Sequence, residues 1–527
     1  MSTNEFSNKI RGALFVLLAV FTMASTGWAA TYYVDHTGGS DSNAGSELAP
    51  WAHCPGLAGW TGLGTITSGD TVYFDNADTW TGNTGDQVLE LRPGITYDGS
   101  TWGSGTRATL QATAVLTHAV IFIRFSNVTV KGFNVDSNHF NLTGININQP
   151  WATQNISNIE INNCIVYNIG QTDNYYYGIR VGSVNGYTTS DVRILNCTVH
   201  DTGHEGIALH PYQLAGNIIS NITVRNCEVY NTGLLNIDYG DCILVDAMVN
   251  GAAIEYNYLH DGNRGIEFYT RAACESSTDI IIRYNIIKNQ RTWGIGIFNA
   301  GAKIITAEVY GNLFIDNGKS GSIDGGAVVF KSYNYSTSTW KFYNNTFYSI
   351  INTATTPSCF KIESGASGTP TIECKNNIFY SDNHIPLEDN KGWVTHNNNM
   401  YFRTDSSSGI HARFGASTYN RTTVKTTFEA TCQNTDPSFL NTSNLPTGFT
   451  GTYGINMGPN SNGLSIESGN ALKNGADLGP NFNGAINLSG KSGGLIRPNN
   501  LWDIGAYQLV TEEPTAPKPP SGLRIVQ

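Results

Sequence analysis

The chain has 527 residues, 57 of them glycine, and only 13% are charged. Its formal charge of −11, from 30 basic and 41 acidic residues, excludes nucleic acid as a partner, because phosphate binding needs a basic surface. Frequent Gly, Tyr and Phe fit short strands separated by many turns and argue against a helical bundle.

Residues 1–30 read as an export signal. Lys9 and Arg11 form a basic start, Ala13 to Met23 an apolar run, and Gly27-Trp28-Ala29 a small-x-small cleavage site. The apolar run falls short of the ~20 residues of a bilayer span, and no second run of spanning length follows. A mature protein without a membrane span is expected: secreted, periplasmic or at the cell surface.

Residues 31–116 are expected to form an N-terminal cap region, with a turn cluster at Gly38 to Gly45 and an alternating strand at Thr71-Val72-Tyr73-Phe74. A solenoid's open end exposes core and unpaired strand edges, so it needs such a cover. Asp35, Asp41 and Asn43 offer oxygen ligands of the kind calcium takes, although Gly/Asn/Asp runs are mostly turns. Calcium is the one cofactor suggested, and no metal ligand set is identified.

Residues 117–402 carry a repeat. Aligning Phe133, Cys164, Cys197, Cys227, Asn257, Asn285, Asn312, Asn345 and Asn377 leaves apolar residues three positions before and two positions after every one of them, with steps of 27 to 33 residues. A period of this size predicts a solenoid whose units bury their core by stacking. A second short run follows in each coil, as in Gly178-Ile179-Arg180-Val181, Gly206-Ile207-Ala208-Leu209 and Gly265-Ile266-Glu267-Phe268. The alternation is period two. Two or three short strands per coil and no helical period predict an all-β, right-handed parallel β-helix. Asn257 and its successors should form a stacked amide ladder. Cys164, Cys197 and Cys227 share that slot, where strands ~4.8 Å apart suit stacked free thiols better than bridges. Cys54, Cys274 and Cys432 lie outside the ladder and are the better candidates for a disulfide.

From residue 403 to 510 the register fades into Asn-, Thr- and Gly-rich C-terminal coils or cap. Residues 511–527, with Pro514, Pro517, Pro519 and Pro520, read as a semi-rigid tail.

The opening TYYVDHTGGSDSNAG, the phrases GDTVYF and NCTVHDTGHEGIALH, and the closing WDIGAYQ resemble bacterial secreted right-handed parallel β-helix proteins of the pectate-lyase-like superfamily. The resemblance covers residues 31 to 508 and implies the fold. Its members include polysaccharide lyases, glycoside hydrolases, uronate epimerases and adhesins, so no single activity is implied. The polygalacturonase-type Asn-Thr-Asp, Asp-Asp, His-Gly and Arg-Ile-Lys set is not matched beyond Gly203-His204-Glu205-Gly206 and an isolated Asp241. The Asp-Pro-His-Asp signature of alginate epimerases is absent.

Aligning the second runs gives one outward column of Arg180, Ala208, Leu244, Glu267 and Gly296, and another of Gly182, His210, Asp246, Tyr269 and Phe298. His204, Glu205, Asp238, Asp241 and Arg264 stand just before these runs. Acids, imidazoles, guanidiniums and aromatics thus gather between residues 178 and 271 in an otherwise charge-poor body. The functional reading is a polysaccharide groove. Glu267 with Asp246 or Asp241 would supply a carboxylate pair and His210 an alternative base. Arg180 and Arg264 would hold a uronate carboxylate, Tyr269 and Trp293 would stack on sugar, and His204 and Glu205 would complete the binding set. The bland reading is a polar outer face with Glu267 and Arg264 as a surface ion pair. His200-Asp201 and His260-Asp261 recur at one coil position that Asn fills elsewhere, and read as turns. Two functions stay open: an exported, monomeric lyase or hydrolase acting on a polysaccharide, or a non-catalytic surface rod that binds glycans.

Overall fold

The computed structural model describes residues 29–509, except 84, 86, 141, 149–152, 171–175, 213–215, 235–238, 273, 320–324, 336, 352–356, 453–456, 487–494 and 499–501. The export signal up to Trp28, the Pro-rich tail and Asp238 therefore lie outside the described residues. Three long sheets, of 13, 13 and 12 strands, wind around one core, and each strand pairs with the equivalent strand of the coils before and after it. The pairing is parallel throughout the coils, as in Ile159↔Val192, Ile161↔Ile194 and Val192↔Ile222. This is the parallel β-helix that the repeat predicts.

The apolar columns explain the winding. Ile161, Ile194, Val224, Ile254, Ile282 and Val309 point inward from the first sheet, while Val166, Val199, Val229, Leu259, Ile287 and Phe314 point inward from the third, and all are fully buried. Each such side chain contributes about 1.5–3 kcal/mol of burial. The single ladder strand expected for each coil is in fact two strands. Thr188–Leu195 belongs to the first sheet and Thr198–Thr202 to the third. Between them Asn196 adopts φ 54°, as do Asn163 (55°), Asn226 (53°), Asn344 (54°) and Asn376 (57°) on other coils. Asn is the side chain that best tolerates this left-handed region after Gly, and here it turns the chain from one sheet to the next.

Inside the bend the amide ladder forms as expected. The Asn257 Nδ2 donates to Asn285 Oδ1 at 3.0 Å, Asn285 to Asn312 at 3.0 Å, Asn312 to Asn345 at 3.0 Å and Asn345 to Asn377 at 3.0 Å. The ladder continues past its predicted end to Asn399, whose backbone N–H donates to Glu429 Oε1 at 2.7 Å. Cys164, Cys197 and Cys227 are buried free thiols in the same column. Cys54, Cys274 and Cys432, expected as disulfide candidates, are also free and buried. Each fills an apolar site where a small side chain packs, and burial pushes all three thiols up.

Coil stacking extends beyond the ladder's register: Thr71–Asp75 and Thr96–Trp102 already pair in order within the first sheet. The cap carboxylates suggested for calcium are occupied as turn acceptors. Asp35 Oδ1 takes the Thr37 and Gly38 N–H groups, and Asp41 takes those of His53 and Thr61. Among the described residues no group of three or more His, Cys, Asp or Glu side chains is arranged to hold a metal ion. Toward the C-terminus the chain leaves the stack and returns along one flank. Met457, Leu464, Phe482 and Trp502 pack there on a row of tyrosines that includes Tyr256, Tyr284, Tyr310 and Tyr343. Among the described residues no helix is long and apolar enough to cross a membrane.

Candidate functional site

The second sheet presents the chemistry. Its strands Ile179–Val181, Ile207–Leu209, Asp241–Asp246, Arg264–Thr270 and Trp293–Asn299 lie side by side. Their register aligns Arg180, Ala208, Leu244, Glu267 and Gly296, and separately Asp246, Tyr269 and Phe298. The first column matches the alignment made from sequence in full, and the second matches it at Asp246, Tyr269 and Phe298. They floor a cleft of about 200 Å³ lined by Tyr177, Glu205, His210, Tyr239, Leu244, Asp246, Arg264, Glu267, Tyr269, Arg271, Phe298 and Tyr333.

Arg264 and Glu267 form the centre of the floor. The Arg264 Nη1 donates to Glu267 Oε2 and lies 3.6 Å from Asp241 Oδ1. Both partners of the Arg264–Glu267 pair are buried, at 8% and 6% exposure, so this is not the surface ion pair of the bland reading. The guanidinium carbon sits 4.7 Å from the Trp293 ring centre and 5.6 Å from that of Phe298. Gly296 makes room for this arrangement, since a Cβ there would stand 1.9 Å from Trp293 Nε1. Trp293 is therefore a buried backing for Arg264 and presents no open face to a sugar. Burial pushes the Glu267 carboxyl up to about 7, against the pull of Arg264 and with help from Glu205 and Asp246. Burial and the neighbouring Glu267 likewise hold Asp241 well above the usual carboxylate range.

On the adjoining coils His210 Nδ1 lies 2.7 Å from Asp246 Oδ2, while Asp246 Oδ1 accepts the Ala247 N–H at 2.8 Å. Asp246 is almost fully buried and His210 is partly exposed to the cleft. A second His–acid pair stands beside it. His204 Nδ1 contacts Glu205 Oε2, and the His204 ring stacks on Tyr239 with centres 4.5 Å apart. Arg180 lies with its guanidinium over Tyr177 at 4.8 Å, and burial lowers its proton affinity despite the nearby Glu205 and Asp246. Arg271 covers Tyr269 at 5.0 Å.

The structure thus brings Glu267, His210, Asp246, Arg264, Tyr269 and Glu205 to one cleft. It sets Asp241, His204 and Trp293 behind its walls, and Arg180 beside Tyr177. Tyr177, Tyr239 and Tyr333 line the cleft from segments flanking the short strands. Column alignment does not reach such segments, and their only signal is an aromatic residue next to each strand end. The recurring His200-Asp201 and His260-Asp261 are turns, with Asp201 at φ 54° and Asp261 at φ 51°. A larger crevice of about 290 Å³ lies elsewhere, between Asn196–Thr198 and Thr447–Phe449, and carries a single carboxylate, Glu228. It lacks the convergence of acids and bases that the 200 Å³ cleft has.

The family model for the right-handed beta helix region matches residues 118–347. Together with the sheet topology it makes this chain a right-handed parallel β-helix. No curated protein matches it. Solved structures similar to it include a complex of XylC with xylose, 11% identical over 78% of this chain and 87% of that chain with a TM-score of 0.44. The GH136 lacto-N-biosidase from Eubacterium ramulus is 13% identical over 77% of this chain and 69% of that chain, with a TM-score of 0.40. Pectate lyase Pel9A is 13% identical over 92% of this chain and 97% of that chain, with a TM-score of 0.33.

Proposed function

We propose that this right-handed parallel β-helix is an exported, monomeric carbohydrate-active enzyme that hydrolyses a glycosidic bond in the cleft around Glu267. The observation that carries the reading is a carboxyl held at about 7 on the floor of an open cleft, with the His210–Asp246 pair facing the same space. A general acid is most effective when its proton affinity matches the working pH. Glu267 supplies the proton to the leaving oxygen, and His210, partly exposed to the cleft and held by the buried Asp246, takes a proton from water on the neighbouring coil.

Hydrolysis uses the acid that the cleft holds: Glu267 lines it as a carboxyl able to protonate a leaving oxygen. Arg264 is committed to Glu267 and Asp241, which leaves Arg271 over Tyr269 as the lining cation for a substrate carboxylate. The cleft's volume of about 200 Å³ is below the ~300 Å³ at which drug-sized ligand pockets begin. That suits one ring of a polymer lying along the sheet, with Tyr177, Tyr269 and Tyr333 as apolar edges.

A polysaccharide panel tests this. New reducing ends without an unsaturated, ultraviolet-absorbing product are expected. Ultraviolet-absorbing product would show a lyase, and retarded migration in glycan gels with neither signal would show a binding rod; both overturn the hydrolase reading.

A further inference from the structure

Asp241 stands apart from the other acids of the site. It is 1% exposed, does not line the cleft and cannot touch a substrate there. Its strand partner across the sheet is Arg264, and Arg264 Nη1 reaches both Asp241 and Glu267. The Trp293 and Phe298 rings hold that guanidinium in place, so it cannot swing toward one carboxyl and abandon the other.

We propose that Asp241 is a positioning residue that shares Arg264 with Glu267, so that the two carboxyl groups hold one proton between them. The inference rests on the hydrolase reading for its purpose and on the geometry for its existence. One guanidinium offsets one carboxylate. A second buried negative charge beside it is uncompensated in a low-dielectric site, and a proton resolves the conflict. The surrounding groups do not relieve it. Glu205, from the segment before Ile207–Leu209, and Asp246, from the same strand as Asp241, are both acids, each paired with its own histidine. Among the described residues the other nearby cations are engaged elsewhere: Arg180 lies over Tyr177, Arg271 over Tyr269, and Lys331, beside the Trp293 ring, pairs with Glu363. Only Glu267 of the pair faces the cleft, so the shared proton leaves through Glu267. Burial raises both carboxyls, and the charge of Glu267 adds to the rise at Asp241.

The test is a carboxyl carbon-13 NMR titration of the full chain without substrate, with resonances assigned from Asp241→Asn and Glu267→Gln. In Glu267→Gln the Asp241 midpoint should fall by one pH unit or more, roughly tenfold in proton affinity, because the charge opposing its ionisation is gone. In Asp241→Asn, which mimics the protonated acid, Glu267 should keep its midpoint while the higher step of the pair disappears. An unmoved Asp241 midpoint in folded Glu267→Gln overturns the proposal. If that variant does not fold, a wild type in which both carboxyls ionise together in the ordinary carboxylate range overturns it equally. The readout needs no activity. Shifted midpoints in a protein that cleaves no glycan would keep the shared proton and remove the hydrolase reading. Glycan cleavage by the wild type beside an Asp241 midpoint unmoved in Glu267→Gln would remove the shared proton and keep the hydrolase.

Discussion

Glu267 couples the chemistry of the cleft to the stability of the fold. Its carboxyl rises from 4.5 to about 7 on folding. The native state therefore binds more protons than the unfolded chain between those values, and stability falls as pH rises through that window. Below pH ~4.5 both states are protonated and the difference vanishes. Above 7 the ionised, buried carboxylate costs up to about 3 kcal/mol. Glu267→Gln removes the titration and keeps a hydrogen-bonding partner for Arg264. Chemical denaturation at pH 5 and pH 8 should show the variant gaining on the wild type at the higher pH. A stability difference that stays constant with pH would mean that Glu267 ionises as an ordinary exposed glutamate. The residues of this cleft were half legible in the sequence. Glu267, His210 and Asp246 follow from counting along period-two strands. The buried state of Arg264 does not follow, because it depends on Gly296 admitting the Trp293 indole.

The coil's structural element is the bend between first-sheet and third-sheet strands, with a left-handed Asn outside and the ladder Asn inside. Asn312 shows how much that inner amide carries. Its Nδ2 donates to Ile282 O at 2.9 Å and to Asn345 Oδ1 at 3.0 Å, and its Oδ1 accepts the backbone N–H of Asn285 at 2.9 Å. Asn312→Ala would strand several buried groups at about 1–3 kcal/mol each. Cys197→Ala loses only a small side chain and weak sulfur contacts to Ile161 O and Leu195 O. The Asn312 variant should unfold at a clearly lower denaturant concentration than the Cys197 variant. Equal midpoints would show that the ladder adds no more than packing. In Asn344-Asn345 and Asn376-Asn377 the left-handed turn residue stands directly before the ladder residue. The apolar residues on both sides made the stretch read as one strand, since the inward period continues across the bend.

At the scale of the molecule, stacking gives a rod whose inner columns are uniform, and the outer face varies coil by coil. The fold was legible because solenoid packing imposes the same demand on every coil. The cleft was legible only as a region, because its walls are loop aromatics and its charges are set by burial. The C-terminal return over the tyrosine flank was not legible at all. Tyr256 and Tyr284 occupy the left-handed bend position, and what their rings serve shows only in the packing of Phe449 and Phe482 against their row. The central claim is that Glu267 acts as an acid on a glycan in this cleft. It is tested most directly by reducing-end release from the best panel substrate, comparing wild type, Glu267→Gln and Glu308→Gln. Glu308 pairs with Lys341 at 2.9 Å on the first sheet, so its variant makes the same chemical change away from the cleft. The account expects Glu267→Gln to lose roughly 10²- to 10⁴-fold in kcat with its β-sheet circular dichroism intact, while Glu308→Gln keeps wild-type turnover. Full activity in Glu267→Gln would contradict it.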